Sequence, residues 1–165
     1  MTWHLAPPLV TLFGQVDAKF PNRSKTSDGT LGDPAHRARK SDHNPDADGS
    51  VNAGDFTHDP DDGLDCRQFS RELAASGDNR IRYVIFNRRI WQPVIGWSGY
   101  GGDNPHDKHC HVSIEKPHAN DTTEWFEGWL YDLPPLVTPV LEDPDMILIC
   151  DAPASSDRAA ARRSF

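Results

Sequence analysis

The segment "NPHDKHCHVSI", residues 104–114, places His106, His109 and His111 within six positions, beside Asp107. The whole chain has only eight histidines. On a β-strand, residues two apart point to the same side. His109 and His111 therefore share a face with Ser113, while Cys110, Val112 and Ile114 share the other. That second face is apolar and belongs against a core, so the imidazoles project into a cleft. A separate segment, "KSDHNPDADGSVNAGDFTHDP", supplies His43, Asp55 and His58. Two histidines and one carboxylate, drawn from two segments, make a catalytic zinc set with an open fourth position. Water held at such a position ionises near neutral pH and can attack a carbonyl. Asp, Asn, Gly and Pro in "DHNPDADGSVNAGD" also suit turns. The run does not match the EF-hand calcium loop, because the acidic spacing is wrong and no glutamate closes it.

These residues need a frame to hold them. The chain has 165 residues, 14 Pro and 12 Gly, with a mean hydropathy of −0.66. That size suits one domain with long ordered connections. We expect a zinc-binding domain over 1–132 and a linker with a C-terminal tail over 133–165. Net charge is −8. Nucleic-acid affinity rests largely on Lys and Arg, so that class of partner is not expected. Positive charge is local, at Arg37, Arg39 and Lys40 and again at Arg80, Arg82, Arg88 and Arg89. Three cysteines, Cys66, Cys110 and Cys150, are too few and too odd for a disulfide framework and read as buried thiols. The N-terminus lacks the basic region and cleavage site of a signal peptide. No apolar run approaches the ~18 residues that span a bilayer. Synthesis in the cytoplasm, no membrane insertion and a monomeric state are the expectations.

Leu9, Leu12, Phe13, Val16 and Phe20 follow helical spacing, with Pro7 and Pro8 at the start. Residues 22–50 read as a long loop, with "GDPAHRAR" as one helical turn inside it. "VNAGDFT" reads as a strand. "LDCRQFSRELAAS", residues 64–76, reads as a helix stopped by Gly77. "RYVIFN" is a strand, "RRIW" its continuation or hairpin partner, residues 92–105 a glycine-rich loop, and "HCHVSIE" the last core strand. "TTEWFEGWL" suits a short terminal helix or turn, with Trp125 and Trp129 as anchors, and "MILIC" an isolated strand. The expected class is α+β: a small, mainly antiparallel sheet flanked by helices, with the metal cleft on one sheet face.

"SDHNPDADGSVNAGDFTHD" followed by "HDKHCHVSI" resembles the metal-dependent peptidases that unite lysostaphin-type enzymes, D-Ala-D-Ala peptidases and the hedgehog signalling domain. The chain is more particularly similar to the peptidase domains of actinobacteriophage endolysins, over residues 3–115. The resemblance implies zinc ligands at His43, Asp55 and His111, and a cleft histidine at His109. The "HD-x-H-x-H" form, with His106, is similar to the murein endopeptidase branch. His43 and Asp55 stand farther apart than in the short form of the motif. An inserted turn, "PDADG", accounts for this and leaves Asp48 and His58 as rival ligands. Lys108 occupies the position where many D-Ala-D-Ala peptidases carry a glutamate base. His109, Asp107 and His106 are the candidates for that proton transfer, and Asp107 alternatively orients a histidine.

Arg39, two residues before the motif, suits a clamp on a substrate carboxylate or on the scissile carbonyl, or a solvated surface charge. Ser41 either hydrogen-bonds near the metal or stabilises the turn before His43. Asn87 and Arg88 either line the cleft or cap a strand. Trp91, Trp97 and Tyr100 either pack in the core or meet a glycan or peptide stem. The implied activity is hydrolysis of amide bonds in bacterial peptidoglycan stem peptides or cross-links, as a lytic phage enzyme released to the wall through a separate pore. The alternative is a metal-binding module without catalysis, as hedgehog-type domains illustrate. A metal nuclease built on "DHN" conflicts with the acidic surface.

Overall fold

The computed structural model describes residues 2–32 and 40–126. Arg39, His36, Trp129, Cys150, "MILIC", the helical turn expected within 32–39 and the boundary expected at 132 lie outside the described residues. The first helix, α1, spans Pro7–Lys19 and carries prolines in its first turn, where no intrahelical N–H is needed. Thirteen residues are marginal as an isolated helix, so packing must hold it. Leu9, Leu12 and Val16 supply that packing and are fully buried. Phe13 stacks on Phe56 at 4.1 Å between ring centroids. The second helix, α2, spans Cys66–Ser76. Asp65 caps it by accepting the Arg67 N–H at 2.8 Å, and Gly77 ends it at φ 67°, a left-handed position that suits glycine. Its Cys66, Phe69 and Leu73 are buried, as the spacing predicts.

The strands are β1 (His4–Leu5), β2 (Ser50–Val51), β3 (Ala53–Thr57), β4 (Ile81–Phe86), β5 (Arg89–Gln92), β6 (Gly96–Gly99) and β7 (His109–Ile114). β1 and β2 pair in parallel. The other five form one antiparallel sheet in the order β3-β7-β4-β5-β6. The architecture is therefore mixed α+β, with a small antiparallel sheet and two α-helices among the described residues. No helix among them is long and apolar enough to cross a membrane.

Two expectations change. "VNAGDFT" is broken at Asn52, whose N–H donates to Asp42 O at 3.1 Å and whose carbonyl accepts from Ile114 N at 3.0 Å. Asn52 thus hands the chain from the small sheet to the large one. Residues 92–105 are not all loop, because Gly96–Gly99 pair with β5 as an edge strand. An edge strand has a partner on one side only, and two glycines give it no alternation to read. "RRIW" is a hairpin partner, reached through Asn87 and Arg88, both at positive φ as a two-residue hairpin turn demands.

Register decides which face each side chain takes. Val84 pairs with Val112 and Phe56 with Cys110, so these residues share the core face under the helices. Gly54 lies on this face, where an added Cβ would come 2.9 Å from the Phe13 ring. The closing strut of the core is Trp125, whose Nε1 donates to Pro8 O at 2.7 Å beneath the Arg80 guanidinium. No helix includes it among the described residues.

The long loop is tied down by charge. The Arg23 side chain is fully buried, and its two terminal nitrogens donate to both oxygens of Asp28 at 2.9 and 2.7 Å. Asp28 Oδ1 also accepts the Thr57 N–H and hydroxyl. Burial alone would raise the Asp28 pKa, but the Arg23 and Thr57 hydrogen bonds outweigh it and hold the carboxyl below its ordinary value. A depressed folded pKa means stability that is complete above the unfolded value near 3.9 and drains as pH falls through the folded value. Asp28→Asn should destabilise the fold by about 1–3 kcal/mol at pH 7, because the buried Arg23 loses one of its two carboxylate partners and keeps only Asp17, at 2.7 Å. The deficit against wild type should shrink below pH ~3.9, as measured by denaturant unfolding across pH.

Candidate metal centre

Asp55 on β3 and His111 on β7 are direct register partners. Opposed residues of an antiparallel pair lie on the same face, and here that face is the one turned away from the helices. His111 Nδ1 stands 2.9 Å from Asp55 Oδ1. The third member arrives from a loop. His43 Nδ1 lies 2.6 Å from the Thr30 carbonyl, to which it donates its proton. That bond fixes the ring so that Nε2 faces inward. Nε2 is 3.3 Å from Asp55 Oδ2 and 3.1 Å from His111 Nδ1.

Three donor atoms from three segments thus converge, all within 4.8 Å of one another. Bonds of ~2.0–2.2 Å at tetrahedral angles require donor atoms about 3.3 Å apart. The two imidazole nitrogens stand 3.1 Å apart and reach different oxygens of Asp55, His111 at 2.9 Å and His43 at 3.3 Å, so the donors already lie at or slightly inside that spacing. The donor set is two imidazoles and one carboxylate, a combination that suits a divalent transition metal. Burial works against the charge on Asp55, yet hydrogen bonds from His111 and His43 outweigh it and hold the carboxyl far below its ordinary range. Burial also opposes charge on His43, and Asp55 reverses the balance and raises its pKa.

The centre forms one wall of a cavity of about 410 Å³. His109 and His106 line it, together with Tyr83, Tyr100, Ser41 and Asp103. His109 Nε2 is 3.8 Å from Asp55 Oδ2. Burial and the neighbouring His111 and His43 lower the His109 pKa, with Asp55 working in the opposite sense. The His106 ring meets the rings of His109 and His111 at 5.1 and 5.5 Å. Burial and those two imidazoles push His106 down to about 4, so it is neutral at pH 7. Its backbone sits at φ 53°, a left-handed position unusual for a side chain of this size. Asn87 N–H and Arg88 N–H hold it there by donating to His106 O and Pro105 O at 2.9 and 2.8 Å. These two residues position the histidine loop through their backbones and do not line the cleft.

The rival ligands take other work. Asp48 Oδ1 accepts from Ser50 N at 2.9 Å and Ser50 Oγ at 2.8 Å, closing its own turn. His58 Nδ1 accepts from the Cys66 N–H at 3.1 Å, and its ring packs on Phe86. Asp107 and Lys108 are exposed, and neither lines the cavity. Ser41 supports the turn before His43, the second of its two expected roles. It lines the cavity, and its Oγ accepts the His43 N–H at 3.3 Å.

Four residues escaped the sequence reading. Gly29 bridges to Asp55 by two backbone hydrogen bonds, and an added Cβ would stand 2.8 Å from Asp55 Oδ2. Tyr83 stacks flat against the His111 imidazole at 5.4 Å. Alternation with Ile85 signals its outward face, but only register brings it to His111. Asp103 lies on the loop after β6 and reaches the cavity rim. Asp42 accepts from Arg82 Nη1 at 2.7 and 2.9 Å, from the Tyr83 hydroxyl at 2.9 Å and from Ser113 Oγ at 2.6 Å. It pins the loop that carries His43 to the strands that carry His111. Its adjacency to His43 was the available signal.

No family model, no curated protein and no solved structure matches the chain.

Asp42→Ala should free that loop while leaving the helix-side core intact. The expected outcome is affinity for a divalent transition metal weakened on the order of tenfold, read by calorimetric titration, with far-ultraviolet circular dichroism unchanged.

Proposed function

We propose that this protein is a zinc-dependent peptidase that hydrolyses amide bonds in the stem peptides or cross-links of bacterial peptidoglycan. The observation that carries the reading is the convergence of His43, Asp55 and His111 on the wall of a cavity that also holds two further histidines. The likeness of "SDHNP…DFTHD…HDKHCHVS" to actinobacteriophage endolysin peptidases supplies the substrate class and the lytic role. Synthesis in the host cytoplasm and release to the wall belong to the same proposal.

When bound, zinc supplies Lewis acidity and lowers the pKa of coordinated water toward neutrality. His43, Asp55 and His111 are the residues that would hold it. His109 Nε2 takes the proton of the attacking water and returns it to the leaving amine, a transfer for which an imidazole needs little tuning. As water adds to the carbonyl carbon and the C–N bond breaks, the products are a carboxylate and an amine. His106, fixed by its Nδ1 contact to Asn104 O at 2.9 Å, shapes the cleft beside His109. Tyr100 packs on His106 and offers an apolar wall to the peptide. Arg39 belongs to the same proposal as a clamp on a substrate carboxylate or on the scissile carbonyl.

One observation favours the non-catalytic alternative. The position of the family's glutamate base is Lys108, which is exposed and turned out of the cleft. Digestion of purified actinobacterial sacculi separates the readings. The intact protein should release new amine termini, visible by mass spectrometry, and a chelator should stop it. His43→Ala, Asp55→Ala and His111→Ala should each lose zinc and products together. His109→Ala should keep zinc and lose about 100-fold or more in turnover. A zinc-loaded protein that releases no termini would establish the binding module instead.

A further inference from the structure

The opposite face of the sheet carries a second cavity, of about 300 Å³, between α2 and the β5–β6 hairpin. Phe86, Arg89 and Trp97 reach it from the sheet. Register places all three on the face of Val84 and Val112, away from the histidines. Arg67 and Arg71 reach it from α2. No carboxylate lines it among the described residues. In a chain of net charge −8, three guanidiniums converge on one small concavity.

Their local setting leaves these cations without an opposite charge. Arg67 and Arg71 are one helical turn apart, and like charges at that spacing repel. Arg67 stands in the first turn of α2, where the helix dipole disfavours a cation and the Asp65 carboxylate is occupied with the Arg67 backbone N–H. Neither side chain has an ion-pair partner among the described residues. The nearby helix carboxylates are engaged elsewhere: Asp65 caps the helix, and buried Glu72 accepts from Gln68 Nε2 at 3.2 Å. Arg89 is held by the Trp97 ring, 5.4 Å from its centroid. Of the remaining walls Phe86 and Trp97 are flat and apolar, while Ser70 and Asn87 are small and polar.

We propose that this cavity binds a phosphate group carried on an apolar or sugar body. Guanidinium forks match both carboxylate and phosphate oxygens. Three of them exceed what a single monovalent carboxylate can neutralise, whereas a phosphate offers more charge and three or more acceptor oxygens. The aromatic walls hold the body that carries it. The site lies across the sheet from the histidine cleft, so it stands independently of the peptidase reading.

Two arms of one experiment separate the sources of such a group. The full chain is titrated with phenyl phosphate, a soluble monoester, and with phosphatidylglycerol vesicles, a lipid headgroup. Binding is followed through the Trp97 indole N–H resonance for the first and by co-sedimentation for the second. Saturable binding in either arm, weakened tenfold or more by Arg67→Ala/Arg71→Ala and again by Arg89→Gln, is expected and names the source. All three arginines are exposed, so these variants should fold as wild type does. His111→Ala should bind unchanged, and a loss there would move the anion to the histidine cleft and overturn the proposal. Equal affinity for phenylacetate, no saturation in either arm, or binding indifferent to the arginines would each overturn it as well.

Discussion

The antiparallel register between β3 and β7 is the constraint on which the rest of this molecule depends. It sets Asp55 opposite His111 and, through the same pleat, Phe56 opposite Cys110. One pairing therefore builds a carboxylate–imidazole contact on one face and a core contact on the other. A slip by a single residue would exchange the two faces. In β7 it would bury two imidazoles under the helices and expose Val112 and Ile114; in β3 it would bury the Asp55 carboxylate instead. The penalty for burying unpaired charge far exceeds the variation in any single apolar contact. The fold and the site are thus specified by one register.

Around that pair, the structure invests polar contacts where a loop must be held still. His43 lies on an irregular segment, and regular strand pairing cannot place it. Thr30 O orients its ring, Ser41 Oγ accepts its N–H, and Asp42 fastens the neighbouring backbone to β4 and β7 through Arg82, Tyr83 and Ser113. Gly29 lets a second loop lie against Asp55 where any Cβ would collide. The buried Arg23–Asp28 pair secures the far end of that loop to Thr57. Such contacts add little net stability compared with apolar packing, but breaking one strands its partner. Their effect is to remove alternative positions for His43, and a preorganised donor set binds a cation more tightly than a mobile one.

The two faces of the sheet also divide the chemistry. The histidine face is acidic and imidazole-rich, with Asp55 at its centre. The helix face ends in a basic, aromatic-walled concavity beyond the limit of the core, because α2 covers β4 and β7 while the β5–β6 hairpin extends past it. A five-stranded sheet over two helices leaves such an overhang, and the overhang is what gives Arg89 and Trp97 a second wall to face.

Much of this was legible in the residues. The period-two split of "HCHVSI" into polar and apolar faces followed from strand geometry alone, and so did the buried stripe Leu9, Leu12, Val16 and the capped helix from Cys66 to Gly77. The separation of donors between two segments was also visible, because the chain has only eight histidines and three of them fall within residues 106–111. Tertiary structure decided what local pattern cannot encode. It chose Asp55 over Asp48 and His58, since only register and a loop closure report which carboxylate or imidazole meets His111. It turned Gly96–Gly99 into an edge strand, because pairing on one side leaves no alternation to detect. It gave Asp42 and Tyr83 their supporting roles and set Asp107 outside the cleft. Local sequence fixes which way a side chain leaves its own element; which elements meet is set by long-range pairing, whose energy is shared among residues far apart in the chain.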